Sequence, residues 1–272
     1  MDKEQNIIDI FTNKFIGDDG AVIGKMVLSK DMFVENTHFK RGWLSAFEIG
    51  QKAMLVNLSD AVAMNAAPRF ALLGLGIPSN LKNSYILELC KGIKHTAEKY
   101  GVKIIGGDTV KSSEITISLS IISYLQNAKE VSRNGAALGD LVCYTGSLGS
   151  SLKGLKTLLN GGHISSKSKF KTPILRDKFM KHSAKFMKCA MDISDGLASD
   201  LPKICSKFRV KFYKNISKLQ WLSGEEYELL FCVSPRNLKR VQNEAKRCRV
   251  KLNILGKIIK GKQKTHGKFT HF

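Results

Sequence analysis

The chain has 272 residues, of which 43% are hydrophobic and 25% charged, values that are ordinary for a globular protein. This length is long for one compact core, so we expect two domains or one large α/β domain. The first residues, MDKEQNIIDI, do not resemble a signal peptide, and no apolar run reaches the ~18 residues of a membrane span. We therefore expect a cytoplasmic protein that does not enter a membrane.

Lysine and arginine number 44 against 23 acidic residues, which gives a net charge of +21. Such a charge could indicate nucleic-acid binding, or a positive field that attracts anionic substrates such as nucleotides. The basic residues are spread along most of the chain, and no alternation with aromatic residues accompanies them. A solvated basic surface explains this composition better, and we expect no nucleic-acid partner.

The six cysteines form no CxxC pair and lie mostly in apolar segments such as LLFCVS. This pattern indicates reduced, buried thiols and gives no sign of a zinc site.

In the first half of the chain, strand and helix patterns alternate. Strands are predicted at 25–35, 70–78, 102–108 and 114–125, and amphipathic helices at 45–66 and 86–100. This order suggests an α+β sandwich with the helices on one face of a sheet.

The turn-rich segment NGAALGD separates this half from the next, so we expect domains at 1–135 and 136–272. Strands are predicted in the second half at 141–146, 227–234 and 251–259, and helices near 151–160, 171–188, 195–206 and 235–247. The polar tail GKQKTHGKFTHF is expected to be loosely held.

Aspartate recurs in short turns, at strand ends and at helix starts of this basic chain, often beside glycine or serine. Carboxylate and phosphate oxygens are the ligands that Mg²⁺ prefers. Each aspartate alone is better explained by a turn or a helix cap. No P-loop, protein-kinase signature, HExxH or GxSxG occurs. The set therefore suggests a magnesium and phosphate site, although spacing alone does not show that its members converge.

Seven motifs then follow in a fixed order: IGDDGAVI, SKDMFVENTHF, NLSDAVAMNAAP, IIGGDT, VSRNGAALGDLVCYTGSLG, MDISDGLASDL and SGEEYELLF. From Ile16 to Phe231 the chain resembles the thiamine-monophosphate kinase family, within the aminoimidazole-ribonucleotide synthetase-like superfamily. The resemblance implies a two-domain α+β subunit with a C-terminal α/β sandwich. It also implies a homodimer formed by pairing of the N-terminal sheet domains, with ATP bound near the interface. The implied reaction is ATP-dependent phosphorylation of thiamine monophosphate to thiamine diphosphate with Mg²⁺.

The resemblance also assigns roles to residues of this chain. The implied metal ligands are Asp19, Ser29, Lys30, Asp31, Asp60, Asp108, Asp192 and Asp195. The implied nucleotide contacts are Tyr100, Gly107, Asp108, Arg133 and Ser194. The implied contacts to the thiamine substrate are His38, Glu225 and Phe269.

Two departures from the family pattern bear on these roles. The family usually has threonine where this chain has Lys30, so that position keeps a metal only if it binds through its backbone carbonyl. The stretch between Asp200 and Gly224 is shorter than the family pattern, so we expect a smaller second domain and thiamine pocket.

The implied nucleophile is a phosphate oxygen, which is largely dianionic at neutral pH because its second pKa lies near ~6. Direct in-line transfer then needs no general base, and we expect no phosphorylated enzyme intermediate. Two other functions stay open. One is an ATP-dependent enzyme of the same superfamily that acts on another phosphate, carboxylate or amide; the other is a basic nucleic-acid-binding protein.

Overall fold

The computed structural model describes residues 3–128 and 130–261. Two five-stranded sheets dominate it, one from each half of the chain. The first half contains α1 (Lys3–Ile10), β1 (Ala21–Ile23), β2 (Met26–Val34), α2 (Ala46–Ala63), β3 (Ala66–Ile77), α3 (Asn83–Lys99), β4 (Lys103–Lys111) and β5 (Thr116–Leu125). The second half contains β6 (Leu141–Thr145), α4 (Ser150–Leu159), α5 (Asp177–Ser183), β7 (Met187–Asp192), α6 (Leu197–Ile204), β8 (Phe208–Phe212), α7 (Lys218–Leu222), β9 (Leu229–Val233), α8 (Leu238–Arg247) and β10 (Leu252–Lys260).

The first sheet has the strand order β1-β2-β5-β3-β4. Its neighbours are antiparallel except β3 and β4, whose parallel pairing is possible because α3 connects them as a crossover. Side chains alternate between the two faces along β2, where Val27, Ser29 and Phe33 are buried while Lys30 and Met32 are exposed. One face of this sheet therefore packs against helices, and the other faces outwards.

The helix α2 is the central element of the molecule. It begins with a capping box, in which the Ser45 hydroxyl accepts from the Glu48 amide and the Glu48 carboxylate accepts from the Ser45 amide. Nearly all its residues are buried, because it packs on the first sheet, on α3, and on α5 and β7 of the second half. The helix α3 approaches so closely that a Cβ at Gly50 would lie 2.1 Å from the Leu89 carbonyl oxygen. These contacts hold the residues of α2 in fixed positions between the two sheets.

The second sheet is antiparallel throughout, in the order β7-β9-β6-β10-β8. Every residue of its strands β6 and β9 is buried. Five of the six residues of β7 are also buried, although β7 is at the sheet edge, because it packs against α2. All six cysteines are free thiols, and four of them are buried in the second half.

The strands and helices expected in the first half are confirmed, with ends shifted by a few residues. The helix expected over 171–188 is present only as the shorter α5 (Asp177–Ser183). The last two residues of that range, Met187 and Lys188, instead begin β7, a strand that pairs with β9 and that the sequence patterns did not predict. The sequence patterns also missed α1, β1, β8 and α7, all of which are short. Residues 262–272, where the polar tail was expected, lie outside the described residues.

Candidate active site

Three aspartates from separate parts of the chain meet between the two sheets. Asp19 precedes β1, Asp60 lies in the last turn of α2, and Asp192 ends β7. Each aspartate contributes one carboxylate oxygen to a group of three that lie within 4.8 Å of one another. Asp19 is 8% exposed and Asp192 only 2%, so these charges have little water to stabilise them.

Asp31 on β2 interacts electrostatically with this cluster. Burial, followed by the charges of Asp192 and Asp195, raises the pKa of Asp31 to about 6. Burial also raises the pKa of Asp60 well above its ordinary value, and the charges of Asp31, Asp192 and Asp19 raise it further. Carboxylates that repel one another in this way are stabilised by a cation placed among them.

Ser59 and Arg133 offset part of this negative charge. The Ser59 hydroxyl donates to Asp192 Oδ2 at 2.5 Å. The Arg133 guanidinium donates to Asp19 Oδ1 through Nε at 2.8 Å and also through Nη2. The Arg133 backbone amide donates to both carboxylate oxygens of Asp18, at 3.0 and 3.1 Å. Sequence reasoning placed Arg133 on the nucleotide, whereas its side chain here binds an expected metal ligand.

Two buried oxygen atoms near this cluster have no hydrogen-bond partner among the described residues. They are Asp19 Oδ2 and the Ser29 hydroxyl oxygen. Both belong to residues expected to bind magnesium, and every side-chain donor in the group is a hard oxygen. The residues therefore fit an Mg²⁺ ion.

Lys30 lies between two of these residues in sequence but on the other face of the sheet. Its Nζ donates to the Ser118 hydroxyl at 2.6 Å on the outer face, while the Ser29 and Asp31 side chains lie on the inner face. The Lys30 side chain is therefore not a ligand of this cluster, and only the backbone carbonyl remains available for that role.

Asp108 is not brought to the cluster within one subunit. It lies on β4, which is three strands from β2, a separation of about 14 Å. Its Oδ1 accepts from the Thr109 amide at 2.8 Å. Gly107 precedes it, where a Cβ would lie 1.8 Å from the Leu73 carbonyl oxygen, so the close approach of β3 and β4 requires glycine.

Tyr100 forms the C-terminal cap of α3, directly before β4. Burial and the charge of Asp177 raise the pKa of Tyr100 to about 12. Tyr100, Gly107 and Asp108 thus belong to the β4 edge, separate from the aspartates beside α2.

Asp195 is held by residues that sequence reasoning missed. Lys203 Nζ donates to Asp195 Oδ2 at 2.6 Å and to Asp200 Oδ1 at 2.9 Å. Burial raises the pKa of Asp200 to about 7, although Lys203 opposes the shift. Ser194 is half-buried, and its carbonyl oxygen accepts from the Glu225 amide at 2.6 Å. The motif DISDGLASD contains Asp200 as a third aspartate after Asp192 and Asp195, so the sequence could have indicated it.

Glu225 and Tyr227 both adopt left-handed backbone conformations, with φ of 52° and 51°. Such angles are costly for residues other than glycine and are often found at functional sites. The turn is held because the Tyr227 amide donates to the Ile193 carbonyl at 2.9 Å. The Glu225 carboxylate binds Lys52 Nζ at 2.9 Å. No sequence motif singled out Lys52 or Tyr227.

His38 contacts Phe33, whose ring also lies near Lys52, the partner of Glu225. Its Nδ1 accepts from the Val34 amide at 3.0 Å, and its ring lies 5.5 Å from the Phe33 ring. Phe269, the third residue expected on the thiamine side, lies outside the described residues.

A buried ionic network holds Glu226 and Glu228, which follow Glu225 in the same segment. Arg176 binds both oxygens of Glu228 at 2.7 Å, and Lys169 joins Glu228 to Glu226 at 2.8 and 3.0 Å. Glu226 also accepts from the Gly149 amide at 2.6 Å. The glycine loop before α4 is thereby fixed to the turn that contains Glu225.

The protein is of the α+β class, with two sheets and a buried carboxylate cluster between them. A family model matches its first half. The model described as AIR synthase related protein, N-terminal domain, matches residues 17–124. Thiamine-monophosphate kinase of Aquifex aeolicus (strain VF5) is 32% identical over 249 residues, covering 80% of this chain and 80% of that protein. Thiamine-monophosphate kinase of Pyrococcus horikoshii is 30% identical over 285 residues, covering 95% of this chain and 89% of that protein. The chain belongs to the thiamine-monophosphate kinase family.

A solved structure agrees with this assignment. AaThiL complexed with AMPPCP and TMP superposes with a TM-score of 0.86 at 27% identity, covering 99% of this chain and 96% of the other. The expected α+β architecture of the aminoimidazole-ribonucleotide synthetase-like type is confirmed. Among the described residues, no helix has the length and apolar character needed to cross a membrane.

Proposed function

We propose that this protein transfers a phosphoryl group from ATP to thiamine monophosphate and forms thiamine diphosphate. The observation that carries the proposal is the convergence of Asp19, Asp60 and Asp192, with Asp31 beside them. Such a cluster binds the cation that a phosphoryl transfer between two anions requires. The relative AaThiL, whose structure holds AMPPCP and TMP, supports this choice of substrates.

We propose that Mg²⁺ is held by the oxygens that meet between the sheets. The expected set is Asp19, Ser29, Asp31, Asp60 and Asp192, with the Lys30 backbone carbonyl and with Asp195 at its edge. When bound, Mg²⁺ supplies positive charge that reduces repulsion between the two phosphate groups. The raised pKa values of Asp31 and Asp60 fit this role, because metal binding favours their ionised forms.

The residues of the chain then bind and orient rather than transfer protons. The acceptor phosphate is already dianionic at neutral pH, so no side chain has to remove a proton from it. Arg133 can exchange its contact with Asp19 for phosphate oxygens when a metal neutralises that carboxylate, because the guanidinium fork fits either partner. We place Ser194 on the nucleotide, since it follows Asp192 closely in the chain and its carbonyl oxygen accepts from the Glu225 amide. We propose direct in-line transfer without a phosphorylated enzyme.

We propose a homodimer that uses the outer face and free edge of the first sheet. All nine residues of β4 are exposed, including Ile105 and Val110, each 55% exposed. Met32 on β2 and Leu72 on β3 are 52% and 43% exposed. An uncovered strand edge with apolar side chains is unfavourable for an isolated subunit. In this dimer the nucleotide would lie near Tyr100, Gly107 and Asp108.

We also propose that the two halves, 1–135 and 136–272, are the two domains, since each carries one sheet. We place the protein in the cytoplasm, without a membrane or nucleic-acid partner.

The test is formation of thiamine diphosphate with Mg²⁺, ATP and thiamine monophosphate. Asp31→Asn and Asp108→Asn should each lower activity at least 100-fold. Asp140→Asn is the matched control. In the part of the chain that the structure describes, the Asp140 carboxylate accepts only from the Ala137 amide, at 2.9 Å, and an asparagine oxygen can do the same. Full activity in both site variants would refute the metal and nucleotide assignments.

A hybrid dimer distinguishes where Asp108 acts. Subunits carrying Asp31→Asn are mixed with subunits carrying Asp108→Asn, and activity is measured after exchange. If one active site uses the partner subunit's Asp108, one site in the hybrid escapes both changes and activity returns. If Asp108 acts within its own subunit, every site in the hybrid keeps one defect.

A panel of phosphoryl acceptors tests the rival within the superfamily. Turnover of another phosphate or carboxylate, with none of thiamine monophosphate, would replace our proposal. Retention on DNA or RNA that weakens with salt, without kinase activity, would instead favour the nucleic-acid-binding function.

A further inference from the structure

Lys52 is a lysine with no exposed surface, in the middle of α2. Among the described residues, its one ionic partner is Glu225, whose Oε2 lies 2.9 Å from Lys52 Nζ. The ammonium also lies 3.9 Å from the centre of the Phe170 ring and 5.5 Å from that of Phe33. The two rings cover the cation, so the Lys52 side chain is directed at Glu225.

Burial of such a pair is a poor way to stabilise a fold. Removing both charges from water costs more than their mutual attraction commonly returns, and well-packed apolar residues often replace such pairs without loss. Aromatic faces recover only part of this cost. The pair is therefore better explained by what it does to Glu225.

Glu225 is held from two sides. Its backbone is fixed at φ 52° by the bond from its amide to Ser194, and its Oε2 is fixed by Lys52. The other oxygen, Oε1, is buried and has no partner among the described residues. Lys52 thus occupies one oxygen and leaves the second available to accept a hydrogen bond from a ligand.

Tyr227 interacts electrostatically with both Glu225 and the aspartates. Tyr227 is buried near both groups, and burial, followed by the charges of Glu225, Asp31, Asp192 and Asp60, raises its pKa. Phe33 lies between Lys52 and His38, on the side where the acceptor molecule is expected. A molecule bound between Glu225 and the aspartates would have its donor group at one end and its phosphate at the other.

We propose that Lys52 is a positioning residue for the phosphoryl acceptor: it orients the Glu225 carboxylate so that Oε1 binds a donor group of the acceptor. This inference rests on the proposed function. It predicts that Lys52 affects binding of thiamine monophosphate and leaves binding of Mg²⁺ and ATP unchanged.

The experiment compares steady-state kinetics of the full-length protein, Lys52→Met, Glu225→Gln and the double variant. Lys52→Met should raise KM for thiamine monophosphate at least 10-fold, with KM for ATP within 2-fold of the original value. In the double variant thermal stability should recover, because no unpaired charge remains buried, while KM for thiamine monophosphate stays raised. The two single effects on KM should not add, since both changes act through one carboxylate.

Lys91→Met is the matched control, because it removes a lysine from an exposed pair with Glu88 at 2.7 Å. It should leave both KM values unchanged. An unchanged KM for thiamine monophosphate in the double variant would overturn the inference, even if Lys52→Met alone does not fold. Absence of activity in the unmodified protein would instead refute the proposed function itself.

Discussion

The hydroxyl of Ser59 donates a hydrogen bond of 2.5 Å to Oδ2 of Asp192. This bond joins α2 of the first half to β7 of the second, at the edge of the aspartate cluster. Ser59 precedes Asp60, so one turn of helix supplies both a carboxylate to the cluster and a donor that orients another.

Removal of this hydroxyl should weaken metal binding. Burial raises the pKa of Asp192, and the Ser59 hydrogen bond lowers it. A hydrogen bond to a charged group contributes about 1.5–3 kcal/mol, so Ser59→Ala should raise the Mg²⁺ concentration needed for half-maximal activity roughly 10-fold or more. Mg²⁺ titration at fixed ATP measures this. Ser113→Ala, at an exposed turn, is the control, and an equal response of the two variants would contradict the role given to Ser59.

The metal-free protein should lose stability as pH rises. The folded-state pKa values of Asp31 and Asp200, about 6 and about 7, lie above the ordinary value of 3.8. The folded state therefore binds more protons than the unfolded state between pH ~4 and ~7, and the free energy of unfolding falls across that window. For Asp31 alone the change is on the order of 3 kcal/mol as an upper limit.

Thermal unfolding in EDTA between pH 5 and 8 tests this sign. Added Mg²⁺ should raise Tm more at pH 7.5 than at pH 5.5, because protonated carboxylates compete with the metal. Asp31→Asn should flatten the pH dependence. A Tm that rises steadily from pH 5 to 8 without metal would contradict the assigned pKa directions.

Arg133→Lys should be a severe change despite the retained charge. Arg133 uses two nitrogens on Asp19 and its amide on Asp18, and a lysine ammonium cannot reproduce the fork. We expect kcat/KM for ATP to fall by about 100-fold, with KM for thiamine monophosphate little altered. Comparable loss in Arg69→Lys, at an exposed position on β3, would show that the effect is not specific to the site.

Lys30→Thr should change little, although it introduces the residue that the family usually has. The side chain lies on the outer face with Ser118, and the substitution keeps the backbone carbonyl. We expect the Mg²⁺ dependence of activity to stay within 3-fold. A gain of 10-fold or more in Mg²⁺ affinity would show that the side chain at this position reaches the metal.

Gly107→Ala should destabilise the β4 edge. A Cβ at this position would lie 1.8 Å from the Leu73 carbonyl oxygen, so β3 and β4 must separate. We expect a loss of at least ~2 kcal/mol in the free energy of unfolding, measured in urea. Gly42→Ala is the control, since a Cβ at Gly42 meets no atom within 4 Å. Equal stability of both variants would contradict the described β3–β4 packing.

The sequence predicted four of the five strands of the first sheet and its helices α2 and α3, because their apolar periodicity is strong. It missed β7 and ended the preceding helix at 188, inside that strand, since MKCAMD pairs with a distant strand and carries no local signal of doing so. Resemblance selected Asp19, Asp60 and Asp192 together, but only the fold shows that they meet. Lys52 could not be found from spacing, because its partner lies 173 residues away and its significance comes from complete burial.

That long separation also bears on how the protein folds. The hydrogen bonds Ser59–Asp192 and Lys52–Glu225 close loops of 133 and 173 residues, so they form only after both sheets exist and have docked. Contacts this distant in sequence slow folding, because the entropy of loop closure is lost before they form. We therefore expect the carboxylate cluster to be completed late in folding. Recovery of Mg²⁺-dependent activity after refolding should lag behind recovery of secondary structure. Nucleotide present during refolding should increase the population of the docked state by mass action.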